Sequence, residues 1–370
     1  MRTRIVSIGD MSDALLAKWN DWACPDGRLV SPYFHFEFTR AIANARPDVR
    51  IAIIEDGDEV HGFFPHHAPH GGIVRPVGAP MSDYQGVIAP HDRPLDLDRL
   101  VRATGGSAIV FENWHCPQGG SPSARRGREG SAIVDLAGGS EAYFGERRGL
   151  YRDHFRKTAR RLRAAERDFG PVHVTLDDPD GTGFQALADW KEAQYETTGK
   201  LNVFGIGWVR SVLDGLRRRG ARGFRGLTAS LWFGDRLAAV EFGLAAGDIY
   251  HSWFPAYDPE LAKYSPGLLL LHGLFEQAAE QGISRIDLGR GGAHYKKYYA
   301  SYEVPLDQGR ILVPGMASLG IRGWEMAEQA ASLMPQRVAE LPVRLRRRWS
   351  QVSAFQPRLA PRLASFATSL

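Results

Sequence analysis

The stretch Ser230-Leu-Trp-Phe-Gly-Asp-Arg-Leu-Ala-Ala-Val-Glu-Phe242 predicts two strands joined by a tight turn at Gly234-Asp235. The stretch Ile53-Ile-Glu-Asp-Gly-Asp-Glu-Val-His-Gly-Phe-Phe-Pro65 shows the same pattern, with its turn at Gly57-Asp58, 177 positions earlier. Because this offset is close to half of the 370 residues, the two stretches indicate two copies of one fold in tandem. Gly-Asp hairpins are common, so two unrelated hairpins are the alternative.

The elements around the second hairpin predict an α+β fold, with a mixed sheet flanked by helices. A three-strand meander precedes a helix from Pro266 to about Gly282, and a strand, a short helix and a strand pair within 304–313 follow. We expect an N-terminal domain at 1–138 and a second domain at 139–318. A basic, helical and partly disordered tail is expected at 319–370.

The composition is that of a globular protein, with 44% hydrophobic and 24% charged residues. It excludes wholesale disorder, collagen and coiled coil. The two cysteines, Cys24 and Cys116, form no CxxC pair and predict reduced thiols in a cytoplasmic protein. The N-terminus lacks an apolar signal region, and no apolar run is long enough to predict a transmembrane segment.

The net charge of +4 is unevenly distributed, because the residues from Arg322 onward hold eight Arg and three Glu. The total then leaves −1 for the rest of the chain, so no specific nucleic-acid partner is expected. Within the tail, Leu341–Trp349 mixes Arg with apolar residues. This mixture favours a peripheral membrane or protein contact, with a solvated tail as the alternative.

The segment Tyr264-Ser265-Pro266-Gly267-Leu268 predicts a helix start that can bind an anion. Ser265 can cap the helix, and Pro266 suits the first turn, where its missing N–H costs nothing. Gly267 allows a ligand to approach the backbone. The free N–H groups and the dipole of a helix N-terminus favour a phosphate or pyrophosphate. A well-capped core helix is the alternative.

The candidate acid–base residues lie on neighbouring elements. Asp287 ends an apolar strand before a Gly-rich turn, which suits a base or a substrate anchor. His251 is a second candidate base. Tyr295 or Tyr298, on the next helix, could return a proton to a leaving thiolate. The alternatives are that Asp287 caps the turn, that His251 is a core residue and that Lys296 is solvated.

Other polar residues suggest contacts with substrate. Trp190 and Gln194 share one helix face and could line an acceptor pocket, unless Trp190 belongs to the core. Glu241 interrupts an apolar strand and needs a partner or a function unless it faces solvent. The helix with Arg147–Arg167 holds nine basic residues, which are either a solvated face or attract an anionic cofactor or glycan carrier. His66-His67-Ala-Pro-His70 lacks nearby carboxylates and cysteines, so no metal is expected.

In order and spacing, these motifs resemble the CelD/BcsL-like branch of the GNAT acetyltransferase superfamily, whose members are often labelled as cellulose biosynthesis proteins. The matching segments, within about residues 25–315, are Ser31-Pro32-Tyr-Phe34, Trp114-His-Cys-Pro117, Phe155-Arg-Lys157 with Arg160-Arg161, Trp190-Lys191, Gly234–Ala239, Ser265–Gly267, Asp287–Gly289 and Tyr295-Lys296.

The resemblance implies tandem GNAT-like folds, as in FemAB-type transferases. It implies acyl transfer from acetyl-CoA or another acyl-CoA to an amine or hydroxyl of a sugar, glycan or small molecule, in exopolysaccharide or cellulose biosynthesis. Ser265–Gly267 would receive the donor's pyrophosphate, with Asp287, Tyr295 and Lys296 beside the acceptor. Because this segment departs from the GNAT pattern Gln/Arg-x-x-Gly-x-Gly/Ala, an acyl-carrier protein and a charged tRNA stay open as donors.

The expected mechanism is direct transfer in a ternary complex, with the thioester between splayed strands. A FemAB-like aminoacyl transferase is one alternative, and the basic helix would then contact tRNA phosphates. A non-catalytic assembly factor for exopolysaccharide synthesis is the other.

Overall fold

A computed structural model describes residues 2–24, 29–90, 94–116, 125–218, 220, 223–333, 336–356 and 362. The chain forms two compact units. Unit 1 comprises Met1–Ala23, Arg46–Arg128 and Leu306–Leu370, and unit 2 comprises Cys24–Ala45 and Glu129–Pro305. The units differ from the expected domains at 1–138 and 139–318, because Cys24–Ala45 belongs to unit 2 and the chain from Leu306 onward belongs to unit 1. The expected domain boundaries stay predictions. The motif and tail predictions include Pro117, 334–335, 357–361 and 363–370, which lie outside the described residues.

Unit 1 has strands in the order β1-β2-β3-β4-β5-β12. The β4–β5 pair is parallel, and β1–β2, β2–β3, β3–β4 and β5–β12 are antiparallel. Its strands and helices are β1 (Arg2–Val6), α1 (Asp13–Ala23), β2 (Val49–Asp56), β3 (Glu59–His70), β4 (Ile73–Pro76), α3 (Leu97–Ala103), β5 (Ala108–Trp114), β12 (Tyr302–Leu312), α10 (Met316–Ala331) and α11 (Gln336–Phe355).

Unit 2 has strands in the order β6-β11-β10-β9-β8-β7, with β10 and β11 parallel. Its strands and helices are α2 (Phe36–Ala45), β6 (Arg125–Asp135), α4 (Ser140–Leu150), α5 (Arg152–Phe169), β7 (Val172–Thr175), α6 (Thr182–Thr198), α7 (Gly207–Arg218), β8 (Phe224–Phe233), β9 (Arg236–Ala246), β10 (Ile249–Tyr257), α8 (Pro266–Glu280), β11 (Arg285–Arg290) and α9 (Lys296–Tyr299).

Both predicted hairpins are present, as β2–β3 and β8–β9. Their turn glycines, Gly57 and Gly234, have φ of 60° and 55°, a region that glycine adopts without steric cost. In each unit the hairpin leads to a third strand, a helix and a strand parallel to the third. This recurrence confirms the predicted α+β fold and its tandem plan. The strand pair expected within 304–313 is wrong, because one long strand, β12, covers that region.

Helices flank the sheet of unit 2, because alternate residues of a strand point to opposite sides. On one side Leu270 and Leu274 of α8 share a buried core with Leu231 of β8. Phe242 of β9 instead contacts Phe184 of α6, with ring centroids 5.3 Å apart. Among the described helices, none combines the length and apolar character needed to cross a membrane.

Candidate functional site

The parallel strands β10 and β11 separate soon after they meet. Their pairing covers three positions and ends at His251 and Asp287. β10 continues along β9 as far as Tyr257, and β11 continues to Arg290 beside β6. We call the region beyond His251 and Asp287, where the two strands no longer pair, the fork. It leaves the β10 edge beyond His251 without a β11 partner, and such an edge can hydrogen-bond an extended ligand.

His251 and Asp287 lie together at the apex of the fork. Both side chains are fully buried, and His251 Nδ1 is 3.4 Å from Asp287 Oδ2. Asp287 Oδ1 accepts hydrogen bonds from Ser131 Oγ at 2.6 Å and from the Gly289 N–H at 2.8 Å. A carboxylate beside Nδ1 favours the tautomer that leaves Nε2 as the basic atom. The sequence predicted these two residues separately, and the structure makes them a pair.

Glu241 and Tyr250 form a second buried polar pair on neighbouring strands. Glu241 is 2% exposed, and Tyr250 Oη donates to its Oε1 at 3.0 Å. Burial raises the pKa of Glu241. The alternative that Glu241 faces solvent is therefore wrong.

Burial, with a further contribution from the Glu241 carboxylate, raises the pKa of Tyr295 to about 12, so this hydroxyl keeps its proton at neutral pH.

Lys296 contacts the backbone of the turn after β11, and Tyr298 contacts a side chain of α5. Lys296 Nζ donates to the carbonyl oxygens of Gly289 at 2.8 Å and Arg290 at 2.7 Å. Lys296 therefore stabilises the turn whose Gly289 N–H donates to Asp287. The alternative that Lys296 is simply solvated did not include these bonds. The Tyr298 ring stacks on His154 of α5, with centroids 4.0 Å apart.

The start of α8 differs from its predicted capping. Ser265 occupies the N-cap position in a left-handed conformation, with φ 54° and ψ 56°, and its side chain makes no capping hydrogen bond. Its carbonyl oxygen instead accepts the Leu268 N–H at 3.0 Å. The predicted side-chain cap is wrong because this backbone conformation differs from the extended one that N-caps usually adopt. Pro266 occupies the first turn, as predicted.

Gly267 has open space around it, since a Cβ atom there would meet nothing within 4 Å. Tyr264, by contrast, belongs to the core. It is buried, its ring contacts Phe233, and its Oη donates to Asp168 Oδ2 at 2.7 Å. Of the predicted anion-binding segment, the half-buried Ser265, Gly267 and Leu268 are accessible to a ligand.

The predicted acceptor residues of α6 lie at its surface, with Trp190 half-buried and Gln194 exposed. Lys191 Nζ donates to Gln194 Oε1 at 3.1 Å. Burial lowers the pKa of Lys191 to about 8, with a smaller contribution from Lys200. Sequence reasoning gave Lys191 no chemical role, although its place beside Trp190 in the family motif was a signal.

Two histidines of the His66–His70 cluster, His66 and His67, have partners within unit 1. His67 Nδ1 is 3.3 Å from Asp48 Oδ2, and its Nε2 accepts the Gly78 N–H at 3.1 Å. His66 Nδ1 lies 3.0 Å from the carbonyl oxygen of Phe64. Within the described ranges, no group of three or more His, Cys, Asp and Glu side chains is placed to hold a metal ion.

A hydrogen-bonded chain links α5, α8 and α9 in unit 2. The buried Tyr299 Oη lies 3.0 Å from His154 Nε2 and 2.9 Å from His272 Nε2. Burial lowers the pKa of His272 to about 4, with smaller contributions from His154 and Arg148. Both histidines therefore act as neutral partners of the Tyr299 hydroxyl near pH 7.

Acidification should destabilise this part of the fold. The folded-state pKa of His272 lies below its ordinary value of 6.5, so the unfolded chain binds more protons between pH 6.5 and 4, and stability falls as the pH falls through that range. From pH 7 to pH 5, the free energy of unfolding should decrease by about 1–2 kcal/mol less in His272→Gln than in the wild type, because the variant lacks this histidine. Urea unfolding at both pH values measures this, with the exposed His173→Gln as control. An equal loss in all three proteins would contradict it.

Comparison with known proteins bears on the segment that carries the fork and α8. Residues 152–297 match the model of the acetyltransferase (GNAT) domain family. This segment has a GNAT fold. The crystal structure of FemX is similar at 9% identity and a TM-score of 0.53, covering 87% of this chain and 99% of FemX. This likeness concerns the fold alone.

A tandem GNAT protein from the clavulanic acid biosynthesis pathway, solved without acetyl-CoA, is 13% identical with a TM-score of 0.43. The match covers 85% of this chain and 100% of that protein. No curated protein has a significant sequence match to the chain. The narrower CelD/BcsL assignment stays a prediction.

Proposed function

We propose that unit 2 transfers an acyl group from acyl-CoA to an amine or hydroxyl of a sugar, glycan or related acceptor. The observation that carries the proposal is the fork between β10 and β11, with the His251–Asp287 pair at its apex. The GNAT match of residues 152–297 supports a CoA thioester as donor. The resemblance to the CelD/BcsL-like proteins suggests the sugar or glycan acceptor and a role in exopolysaccharide synthesis.

Two parts of the acyl-CoA molecule would contact unit 2. Its pantetheine arm, which carries two amides, would lie in the fork and hydrogen-bond the edge of β10 that β11 does not pair with. Its pyrophosphate would lie at the start of α8, where the N–H groups and the dipole of this 15-residue helix favour negative charge. The open space around Gly267 allows a phosphate to approach the backbone.

The chemistry would be a direct attack of the acceptor on the thioester carbonyl. Because the His251 side chain is fully buried, its Nε2 would take the proton from the attacking nitrogen or oxygen through a water molecule, while Asp287 holds the imidazole in place as a positioning residue. The C–S bond then breaks, and Tyr295 would give its proton to the leaving thiolate. Trp190 and Gln194, at the surface of α6, are proposed to contact the acceptor, whereas the predicted acceptor contact of Glu241 does not fit its burial against Tyr250. A base of this kind contributes roughly 10²–10⁴-fold to the rate.

Calorimetry with acetyl-CoA, followed by a thiol-release assay with a panel of amino sugars, tests the proposal. We expect saturable binding and CoA release that depends on an amino sugar. Absence of acetyl-CoA binding would contradict the donor. Binding of acetyl-CoA without turnover on any amine or hydroxyl would favour the non-catalytic assembly factor. Turnover only with aminoacyl-tRNA would favour the FemAB-like transferase.

A further inference from the structure

A cavity of unit 2 lies apart from the residues of the fork. It has a volume of about 810 Å³ and is lined by the end of α4, one side of α5, the edge strand β7, β8 and α8. None of His251, Asp287 and Gly267 lines it. The proposed transfer reaction therefore leaves this cavity without a role.

The lining of the cavity carries three arginines. Arg152 and Arg156 are exposed and lie four residues apart on α5, so they share one helix face. The exposed Arg148 at the end of α4 is the third. Arg156 pairs with Asp153 at 2.8 Å, and Glu276 also lines the cavity. Even with both acidic groups counted, the basic charges are in excess, which favours an anion.

The remaining wall of the cavity is apolar. Phe155 and Leu269 are buried there, and Leu162 and Leu231 lie beside them. Of the two histidines that line the cavity, His173 is exposed and His272 has its Nε2 hydrogen-bonded with the Tyr299 hydroxyl. An apolar group placed here would be removed from water without displacing a charge.

We propose that this cavity binds an anionic amphiphile, with an alkyl chain along the wall formed by Phe155, Leu162 and Leu269 and a phosphate or carboxylate head against Arg148, Arg152 and Arg156. Charge complementarity selects this class, since guanidinium groups pair strongly with such anions. A free anion would leave the apolar wall in contact with water, and an uncharged lipid would leave the excess positive charge of the lining without a counter-ion.

Isothermal titration of the full chain with dodecyl phosphate, kept below its micelle concentration, tests the proposal. Inorganic phosphate supplies the head alone, and dodecyl maltoside supplies the chain without charge. The variant Arg152→Glu/Arg156→Glu removes two head contacts, and Ala159→Trp fills the cavity. The matched control is Arg160→Glu/Arg163→Glu, which reverses two exposed charges of the same helix that do not line the cavity.

We expect dodecyl phosphate to bind the wild type at least about tenfold more tightly than either partial probe. Both cavity variants should weaken it by about tenfold or more, while the control stays within about twofold. Equal weakening in the control would overturn the proposal in favour of a general polyanion surface, such as one for tRNA. Equal affinity for inorganic phosphate, equal affinity for the maltoside, or no binding would also overturn it. Because no arm uses acetyl-CoA, the outcome is independent of the proposed transferase activity.

Discussion

Asp287→Asn should lower the kcat of acyl transfer by roughly 10²–10⁴-fold. The amide retains an oxygen that can accept the bonds from Ser131 and Gly289, so the turn after β11 keeps its main contacts. What the substitution removes is the negative charge 3.4 Å from His251 Nδ1. The imidazole then loses the group that fixes its tautomer and stabilises its protonated form. Steady-state kinetics with acetyl-CoA and the best acceptor measures the effect.

Asp248→Asn is the matched control for this experiment. Asp248 accepts hydrogen bonds from Ser284 at 2.6 Å and from Arg285 at 2.7 Å, next to the other end of the paired part of β10 and β11. Its loss should reduce stability and leave kcat nearly unchanged. In Asp287→Asn the KM for acetyl-CoA should stay within about twofold, because the proposed donor contacts do not involve this carboxylate. An unchanged kcat in Asp287→Asn would exclude the assigned role.

The hairpins were predictable because their signals are local. A Gly-Asp turn between apolar runs specifies β8–β9 without reference to the rest of the chain. The pairing of His251 with Asp287 was not predictable in the same way. Those residues come together only because α8 carries the chain from β10 back to a parallel strand, and a crossover of that kind leaves no local signature. Sequence reasoning therefore found both residues and missed that they form one pair.

Errors at individual side chains have a similar origin. Ser265 has the right chemistry for a cap, but the chain arrives at α8 in a left-handed conformation, and the serine hydroxyl makes no capping bond. Lys296 looks solvated in a polar segment, yet its Nζ donates hydrogen bonds to two carbonyl oxygens of the preceding turn. Glu241 is polar in an apolar strand, and only its tertiary partner Tyr250 explains its burial. The contacts of each of these three side chains depend on the backbone conformation or on a tertiary partner, and the local residue preferences used to read the sequence contain neither.

Gly267→Glu should raise the KM for acetyl-CoA by at least about tenfold while leaving kcat at saturating donor within about twofold. The second residue of α8 has room for a side chain, and its backbone is not in the left-handed region, so the substitution should cause no steric clash. A carboxylate at a helix N-terminus interacts favourably with the dipole, so the fold should not be destabilised. The same carboxylate would occupy the position proposed for the donor's pyrophosphate and offset the positive end of the helix dipole there.

Gly267→Gln separates charge from bulk, because glutamine has nearly the same shape without the negative charge. We expect its KM to rise by less than that of the glutamate variant, and the difference between the two should shrink as ionic strength increases. Equal KM values for both variants would attribute the effect to size alone. A wild-type KM in Gly267→Glu would place the donor's phosphates away from α8, and the departure of Ser265-Pro266-Gly267 from the ordinary GNAT phosphate loop would then mark a different donor.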